Sequence, residues 1–218
     1  MSKENDQTIE VYKNHADRYL LNAVEHNAED IVHAQIKQDK LHRFINEWVS
    51  DIPRQSAVFE IGSGDGETAS FLQYTGFNVL ASDVADGFLE AIRKKGLKAI
   101  HFNVLKDRFP DKYHVIICWR VFVHFTTDDA RTMLNKAYDA LEVGGRLIFN
   151  AMNYRVHSVE EEWLDFDGAY HMGQVRYYHY FSKEELQEIV ISAGYNILHV
   201  HYEGGATGDK WLVFVIEK

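Results

Sequence analysis

Val58-Phe59-Glu60-Ile61-Gly62-Ser63-Gly64-Asp65-Gly66-Glu67 is the stretch that decides the fold: a short apolar run, three glycines at alternate positions, and then a helical run carrying Ala69, Phe71 and Leu72 that Gly76 can stop. Strand, glycine turn and helix in that order open a βα unit, because glycine permits a sharp backbone turn and puts no Cβ in the way of a ligand. The unit repeats downstream. Residues 78–83 make a second strand, a helix with Phe88, Leu89 and Ile92 stops at Gly96, and residues 99–102 make a third strand. Residues 113–118 are apolar throughout, as expected of a central parallel strand covered on both faces. Ala130, Met133, Leu134, Ala137, Tyr138 and Leu141 recur at helical spacing up to a stop at Gly144-Gly145, and residues 146–150 form strand five. Upstream, residues 6–50 are helical in character, with Leu41, Phe44, Ile45, Trp48 and Val49 on one face before Pro53. Residues 151–181 carry eight aromatics, Ser182-Lys183-Glu184-Glu185 opens a further helix as a capping box, and residues 196–202 and 211–217 close the chain as an antiparallel pair. Unbroken β-α alternation with right-handed crossovers predicts an α/β, doubly wound, mostly parallel seven-stranded sheet with an antiparallel last strand and helices on both faces.

Composition narrows the function. The 218 residues hold 23 Lys+Arg against 33 Asp+Glu, a formal net charge of −10, and that surplus repels a phosphate backbone, so no nucleic acid is expected as partner unless Lys and Arg cluster on one face, and a small molecule is favoured. No apolar run approaches the roughly 20 residues of a membrane helix, and the first residues lack the apolar core of a secretory signal, so no membrane partner and a cytoplasmic location are expected. Cys118 is the one cysteine, which excludes an internal disulfide and a multi-thiolate zinc site, and the 12 histidines show no metal-ligand spacing. No metal is expected. Without repeats or a Gly/Pro/Ser linker, residues 1–218 read as a single domain.

The glycine loop weakens two common cofactor readings, leaving a nucleotide-dependent oxidoreductase on the same fold as a third, weaker reading of the function. A dinucleotide fingerprint needs glycine where Glu67 stands, and a Walker loop needs Gly-Lys-Ser/Thr, which is absent. An acid two positions before the first glycine, G-x-G-x-G, Asp83 closing strand two, Asn103-Val104 after strand three, Trp119 to His124 after strand four and Gly144-Gly145 before strand five arrive in an order that resembles the class I S-adenosylmethionine-dependent methyltransferases of small-molecule type. The resemblance covers about three-quarters of the chain. It implies a Rossmann-like fold with an N-terminal helical lid (1–50), a cofactor-binding core (56–150), a substrate-lid insertion (151–181) and a C-terminal helix and hairpin (182–218).

The same resemblance implies S-adenosylmethionine as cofactor and S-adenosylhomocysteine as product. By matching position, Glu60, Gly62, Ser63, Gly64 and Gly66 face the methionyl part, Asp83 accepts from the ribose hydroxyls, Val84 flanks the adenine, Asn103 and Val104 border its amino edge, and Trp119 lies near the methionyl ammonium. Tyr12 and Tyr19 sit in a stretch similar to the tyrosine-rich opening of many small-molecule members, where such side chains approach the sulfonium. A carboxylate is acceptor-only and suits two hydroxyls, and the free N–H groups opening the helix near Gly66 suit a carboxylate.

Methylation of amides or adenine amino groups in this superfamily uses Asn/Asp-Pro-Pro-aromatic after strand four, and Cys118-Trp119-Arg120-Val121 stands there instead. Cys118 reads as a buried strand residue, which removes cytosine carbon methylation as well. His124 matches a position that commonly faces methyl transfer and is the expected base, with His179 and Tyr178 as competitors. Tyr154, Tyr170, His171, Tyr177 and Tyr178 are expected to line the substrate, a compact amine or phenol whose cation the tyrosine rings could hold. The expected reaction is methyl transfer to nitrogen or oxygen, less readily carbon, of a small metabolite by a monomer or homodimer. A non-catalytic S-adenosylmethionine-binding regulatory module is the alternative, and the aromatic segment speaks against it.

Overall fold

In this computed structural model, residues 2–24, 28–156, 159–165, 173–204 and 208–218 are described. In chain order the elements are α1 (Lys3–Val24), α2 (Ala28–Val49), β1 (Ala57–Ile61), α3 (Glu67–Tyr74), β2 (Asn78–Asp83), α4 (Asp86–Lys94), β3 (Ala99–His101), β4 (Tyr113–Cys118), α5 (Thr127–Ala140), β5 (Leu141–Asn153), β6 (Glu161–Leu164), β7 (Arg176–Phe181), α6 (Lys183–Ser192), β8 (Asn196–Glu203) and β9 (Trp211–Glu217). Alternation at period two sorts the core. Val58, Ile117, Ile148 and Val215 meet Ile45, Leu72 and Ile92 of α2, α3 and α4 on one face of the sheet. Phe59, Ile116, Phe149 and Phe214 meet Met133, Leu134 and Ile189 of α5 and α6 on the other.

The main path runs β3-β2-β1-β4-β5-β9-β8, parallel as far as β5 and antiparallel thereafter. The doubly wound α/β sheet with its antiparallel ending is therefore present, and β6 and β7 add to it. No helix among the described residues is long and apolar enough to cross a membrane.

Two local expectations change. The helix expected to reach Leu141 ends at Ala140, and Leu141 turns extended at φ −79°, ψ 143° to begin β5. Gly144-Gly145 is thus inside a strand, where it accommodates a register irregularity opposite Tyr113; a Cβ on Gly145 would stand 2.8 Å from the Glu142 carbonyl oxygen. Helix stop and strand bulge share one signal, glycine, and pairing with β4 selects the second.

The aromatic segment is the other change. Instead of one long wall, β5 continues to Asn153 and residues 161–164 and 176–181 form an antiparallel hairpin. Met152 pairs with Trp211 of β9 on one edge and with Tyr180 of β7 on the other, so β7 lies on the β4 side of β5, just beyond the carboxyl end of β4. Ser182 caps α6 as expected, its Oγ accepting from the Glu185 N–H at 3.0 Å. Of the helices before β1, α2 belongs to a sheet face through Ile45 and Val49, while α1 crosses toward the strand ends.

Candidate active site

The glycine loop is tied to strand two by its neighbours. Ser63 N–H donates to the Ser82 carbonyl at 2.8 Å, Ser82 N–H donates to Ser63 Oγ at 3.1 Å, and Gly64 N–H donates to Asp83 Oδ2 at 3.0 Å. Gly62 and Gly64 both have positive φ, 66° and 54°, yet they meet different surroundings. A Cβ on Gly62 would stand 2.2 Å from Val121 Cγ2, whereas one on Gly64 would meet nothing within 4 Å. The first glycine lets two segments of the protein touch; the second borders open space. Gly62→Ala is therefore expected to destabilise by ~2–4 kcal/mol, backbone strain plus overpacking, and Gly64→Ala by only ~1–2 kcal/mol of strain. Urea unfolding of the two variants checks this, and equal losses would contradict it.

Asp83 is buried, and its Oδ1 accepts from the N–H groups of Val84 and Ala85 at 2.8 and 3.1 Å. Burial pushes its carboxyl up to about 6 against the pull of these N–H donors and that of Gly64. Glu60 is buried more completely and is pushed up to about 8, which leaves it protonated at neutral pH; its Oε2 has no hydrogen-bond partner among the described residues. A cavity of about 180 Å³ opens over the ends of β2 and β3, lined by Val84, His101 and Asn103 below and Ile9 and Lys13 of α1 above. Asn103 shapes the floor by accepting from the Leu105 N–H at 3.0 Å, and Val104 is buried beneath.

Beyond β4 the chain forms a short helical turn, Phe122–His124, that carries His124 under α1 and against β7. His124 Nδ1 lies 2.7 Å from the Tyr177 carbonyl oxygen, and a carbonyl only accepts, so Nδ1 holds the proton and Nε2 is the acceptor. That Nε2 receives the Tyr12 hydroxyl at 3.0 Å, and Arg176 Nη1 donates to the same hydroxyl oxygen at 3.2 Å. Burial pushes His124 down to about 4, with the Arg176 charge adding to the effect, so the imidazole is neutral at physiological pH. Its ring centroid is 4.9 Å from that of Tyr178 and 5.5 Å from that of Tyr12. Asn5 Nδ2 donates to the His124 carbonyl at 3.2 Å and Tyr177 N–H donates to Thr8 Oγ1 at 3.0 Å, which seats α1 on this cluster. Tyr19 packs on Phe88 with ring centroids 5.4 Å apart.

Not every expected residue joins. Period two in β7 sends Tyr178 toward His124 and His179 to the opposite face, where His179 Nδ1 is 3.2 Å from the Tyr177 hydroxyl and its ring abuts Phe181. The Tyr177 side chain follows His179, donating to Glu161 Oε2 at 2.6 Å, so only its backbone serves the cluster. Tyr154 is exposed after β5, Trp119 turns toward Phe44 of α2 with centroids 6.4 Å apart, and Tyr170 and His171 lie outside the described residues. Cys118 is buried and burial raises its thiol, which keeps it unreactive.

Two features have no counterpart among the expectations. Arg176 is 1% exposed, and the visible signal was a charge opening an aromatic run, Arg176-Tyr177-Tyr178-His179-Tyr180-Phe181. Arg120 holds φ 60°, a left-handed conformation costly for a side-chain-bearing residue, and its N–H donates to Asn150 Oδ1 at 2.6 Å. Strain of that kind leaves no trace in composition or spacing.

A family described as a methyltransferase domain matches residues 31–200. No curated protein matches the sequence. Among solved structures, an S-adenosylmethionine-dependent methyltransferase from Clostridium acetobutylicum is 15% identical, with 91% of this chain and 98% of that one covered and a TM-score of 0.70. Magnesium protoporphyrin IX methyltransferase from Synechocystis, solved with bound S-adenosylmethionine, is 14% identical over 100% of this chain and 98% of that one, with a TM-score of 0.74. A glycopeptide N-methyltransferase complexed with sinefungin is 12% identical over 81% and 91%, with a TM-score of 0.64. At such identities these likenesses establish the fold.

Proposed function

The chain belongs to the methyltransferase-domain family, class I S-adenosylmethionine-dependent enzymes, and from that premise we propose that it methylates a nitrogen or oxygen of a small metabolite held between α1, β7 and the His124 turn. The observation that carries this is the buried, neutral His124 with Nδ1 fixed as the donor and Nε2 as the acceptor, at the carboxyl end of β4.

The residues present fit the cofactor. Gly64 borders space a side chain would fill, Glu60 Oε2 is a buried polar atom without a partner among the described residues, and Val84 and Asn103 line a cavity at the strand ends. S-adenosylmethionine supplies an electrophilic methyl group when bound, so the protein's task is to align a nucleophile at roughly 3 Å and exclude water. Asp83 has about four lone-pair directions and three N–H donors on them, leaving Oδ2 able to accept a ribose hydroxyl. The free N–H groups of α3 and the glycine loop suit the methionyl carboxylate. His124 Nε2 takes the acceptor's proton once Tyr12 yields its place, and α1, carrying Tyr12 and Tyr19, shuts the chamber from water.

Titration with S-adenosylhomocysteine and with NAD tests the cofactor half; binding of the first and not the second is expected. A panel of amines, phenols and hydroxy acids, read by mass for the 14 Da gain of about one methylene, tests the chemical half. Binding without turnover of any acceptor would favour the regulatory module instead.

A further inference from the structure

We propose that His199 and His201 form a second binding site, a two-histidine clip on the last strand of the sheet that chelates one divalent transition-metal ion of the imidazole-preferring kind, zinc or copper. The clip stands at the opposite edge of the sheet from the cavity over β2 and β3.

Strand pairing brings the two side chains together. β8 pairs with β9 alone, and past a register irregularity between Ile197 and His199 it sets His199 opposite Val215 and His201 opposite Val213. Residues two apart on a strand share a face, and this face is the one that α2 covers. Trp48 lies beside His199 and Phe44 beside His201, with ring centroids 5.1 Å apart in each case. Pairing with β9 and the α2 rings hold the imidazoles in place, while both stay partly exposed to solvent. The histidines lack helical and thiolate ligand spacings, which is why the sequence predicts no metal; the period of a strand supplies a different spacing.

The geometry is that of a chelate. His199 Nε2 lies 3.1 Å from His201 Nδ1. Two imidazole nitrogens bound to one ion at ~2.0–2.1 Å stand about 2.9 Å apart in square and about 3.4 Å apart in tetrahedral coordination, so the pair already has the required bite. Without a metal, one nitrogen must carry a hydrogen for the contact to hold. Glu203 Oε2, 3.8 Å from His201 Nε2, favours the His201 proton on Nε2 and so leaves a lone pair on Nδ1, as carboxylates behind ligating histidines do. His199 Nε2 is then the donor. Chelation asks only that neutral His199 exchange its proton from Nε2 to Nδ1 through solvent, so both lone pairs face the ion and no net proton is released. Burial first, and then the neighbouring His201, hold His199 below the ordinary histidine range against the pull of Glu47, which keeps it neutral at physiological pH. Among the described residues no three His, Cys, Asp or Glu side chains are placed to hold a metal ion together, so the clip supplies two ligands and water completes the coordination.

Zinc titrated calorimetrically into the tag-free, full-length protein should fill one site at least about tenfold tighter than any zinc binding left in His199→Gln or His201→Gln, because either substitution removes the chelate. Magnesium, which prefers oxygen ligands, should not compete. Affinity should fall as pH drops from about 7 to about 5, where protons take both nitrogens. Nitrogen NMR of the wild-type imidazoles should show His199 Nε2 and His201 Nδ1 moving together to metal-bound positions. Equal zinc affinity in the wild type and the two variants, or His199 and His201 resonances unmoved by saturating zinc, overturns the assignment. If the variants do not fold, the wild-type resonances decide. Failure here leaves methyl transfer standing, since titration with S-adenosylhomocysteine tests that separately.

Discussion

Asp83→Ala is expected to weaken S-adenosylhomocysteine binding by about tenfold to a hundredfold, and wild-type affinity is expected to decline as pH falls below about 6. The first effect follows from deleting a buried charged acceptor, typically ~1.5–3 kcal/mol, at a residue that also anchors the Gly64 N–H. The second follows from burial, which raises the Asp83 carboxyl to about 6. Above that pH the carboxylate can accept a hydroxyl; below it a proton takes up acceptor capacity. Because the folded-state value lies above the ordinary 3.8, the native state holds the extra proton, so Asp83 contributes stability at low pH that is lost as pH rises from about 4 through about 6. Asp83→Asn should flatten both dependences. Calorimetric titration between pH 5 and 8 of about three buffers reads the affinity, and a pH-independent wild-type affinity would argue against Asp83 as the ribose acceptor.

His124→Ala is expected to lower turnover by ~10²-fold or more while S-adenosylhomocysteine affinity changes little, as befits loss of a general base rather than of a cofactor contact. The same burial that keeps the imidazole unprotonated makes it a weaker base than an ordinary histidine. Its conjugate acid lies near 4, so it is an unprotonated acceptor throughout the neutral range, and its tautomer is held by the Tyr177 carbonyl. Wild-type rate should therefore show no inflection near the ordinary histidine value and should fall only as pH approaches 4. Tyr12→Phe, which removes the hydroxyl that occupies Nε2 and touches Arg176, should have a smaller effect on rate. Truncating a buried ring also leaves a void, so circular dichroism must accompany the kinetics. Full activity in His124→Ala together with an inactive His179→Ala would move the base to the other face of β7.

The order of elements was legible because it is written in short-range spacing. Gly62, Gly64 and Gly66 between an apolar run and an amphipathic one, Asp83 at a strand end, and Ser182 three residues before Glu185 each act within a few residues of where they stand. Alternating strands and helices then leave few ways to bury both sheet faces, and the parallel core with its antiparallel ending follows. The glycines at 144 and 145 show the limit of such signals, since only the pairing with β4 distinguishes a strand irregularity from a helix stop.

The candidate chemistry beyond the glycine loop was decided by contacts between distant residues. Tyr12 meets Arg176 across 164 positions and His124 across 112, and no local pattern encodes either meeting. Tyr178 and His179 are adjacent in sequence and equally eligible as site residues; pairing of Met152 with Tyr180 fixes the register of β7, and that register turns one toward His124 and the other away. Propensity and capping are properties of a segment, so the sequence alone carried the βα framework and the acid at the end of β2. The proton on His124, the raised carboxyl of Asp83 and the buried charge of Arg176 depend on desolvation and on partners brought in from elsewhere in the chain, and those exist only once the tertiary structure has closed.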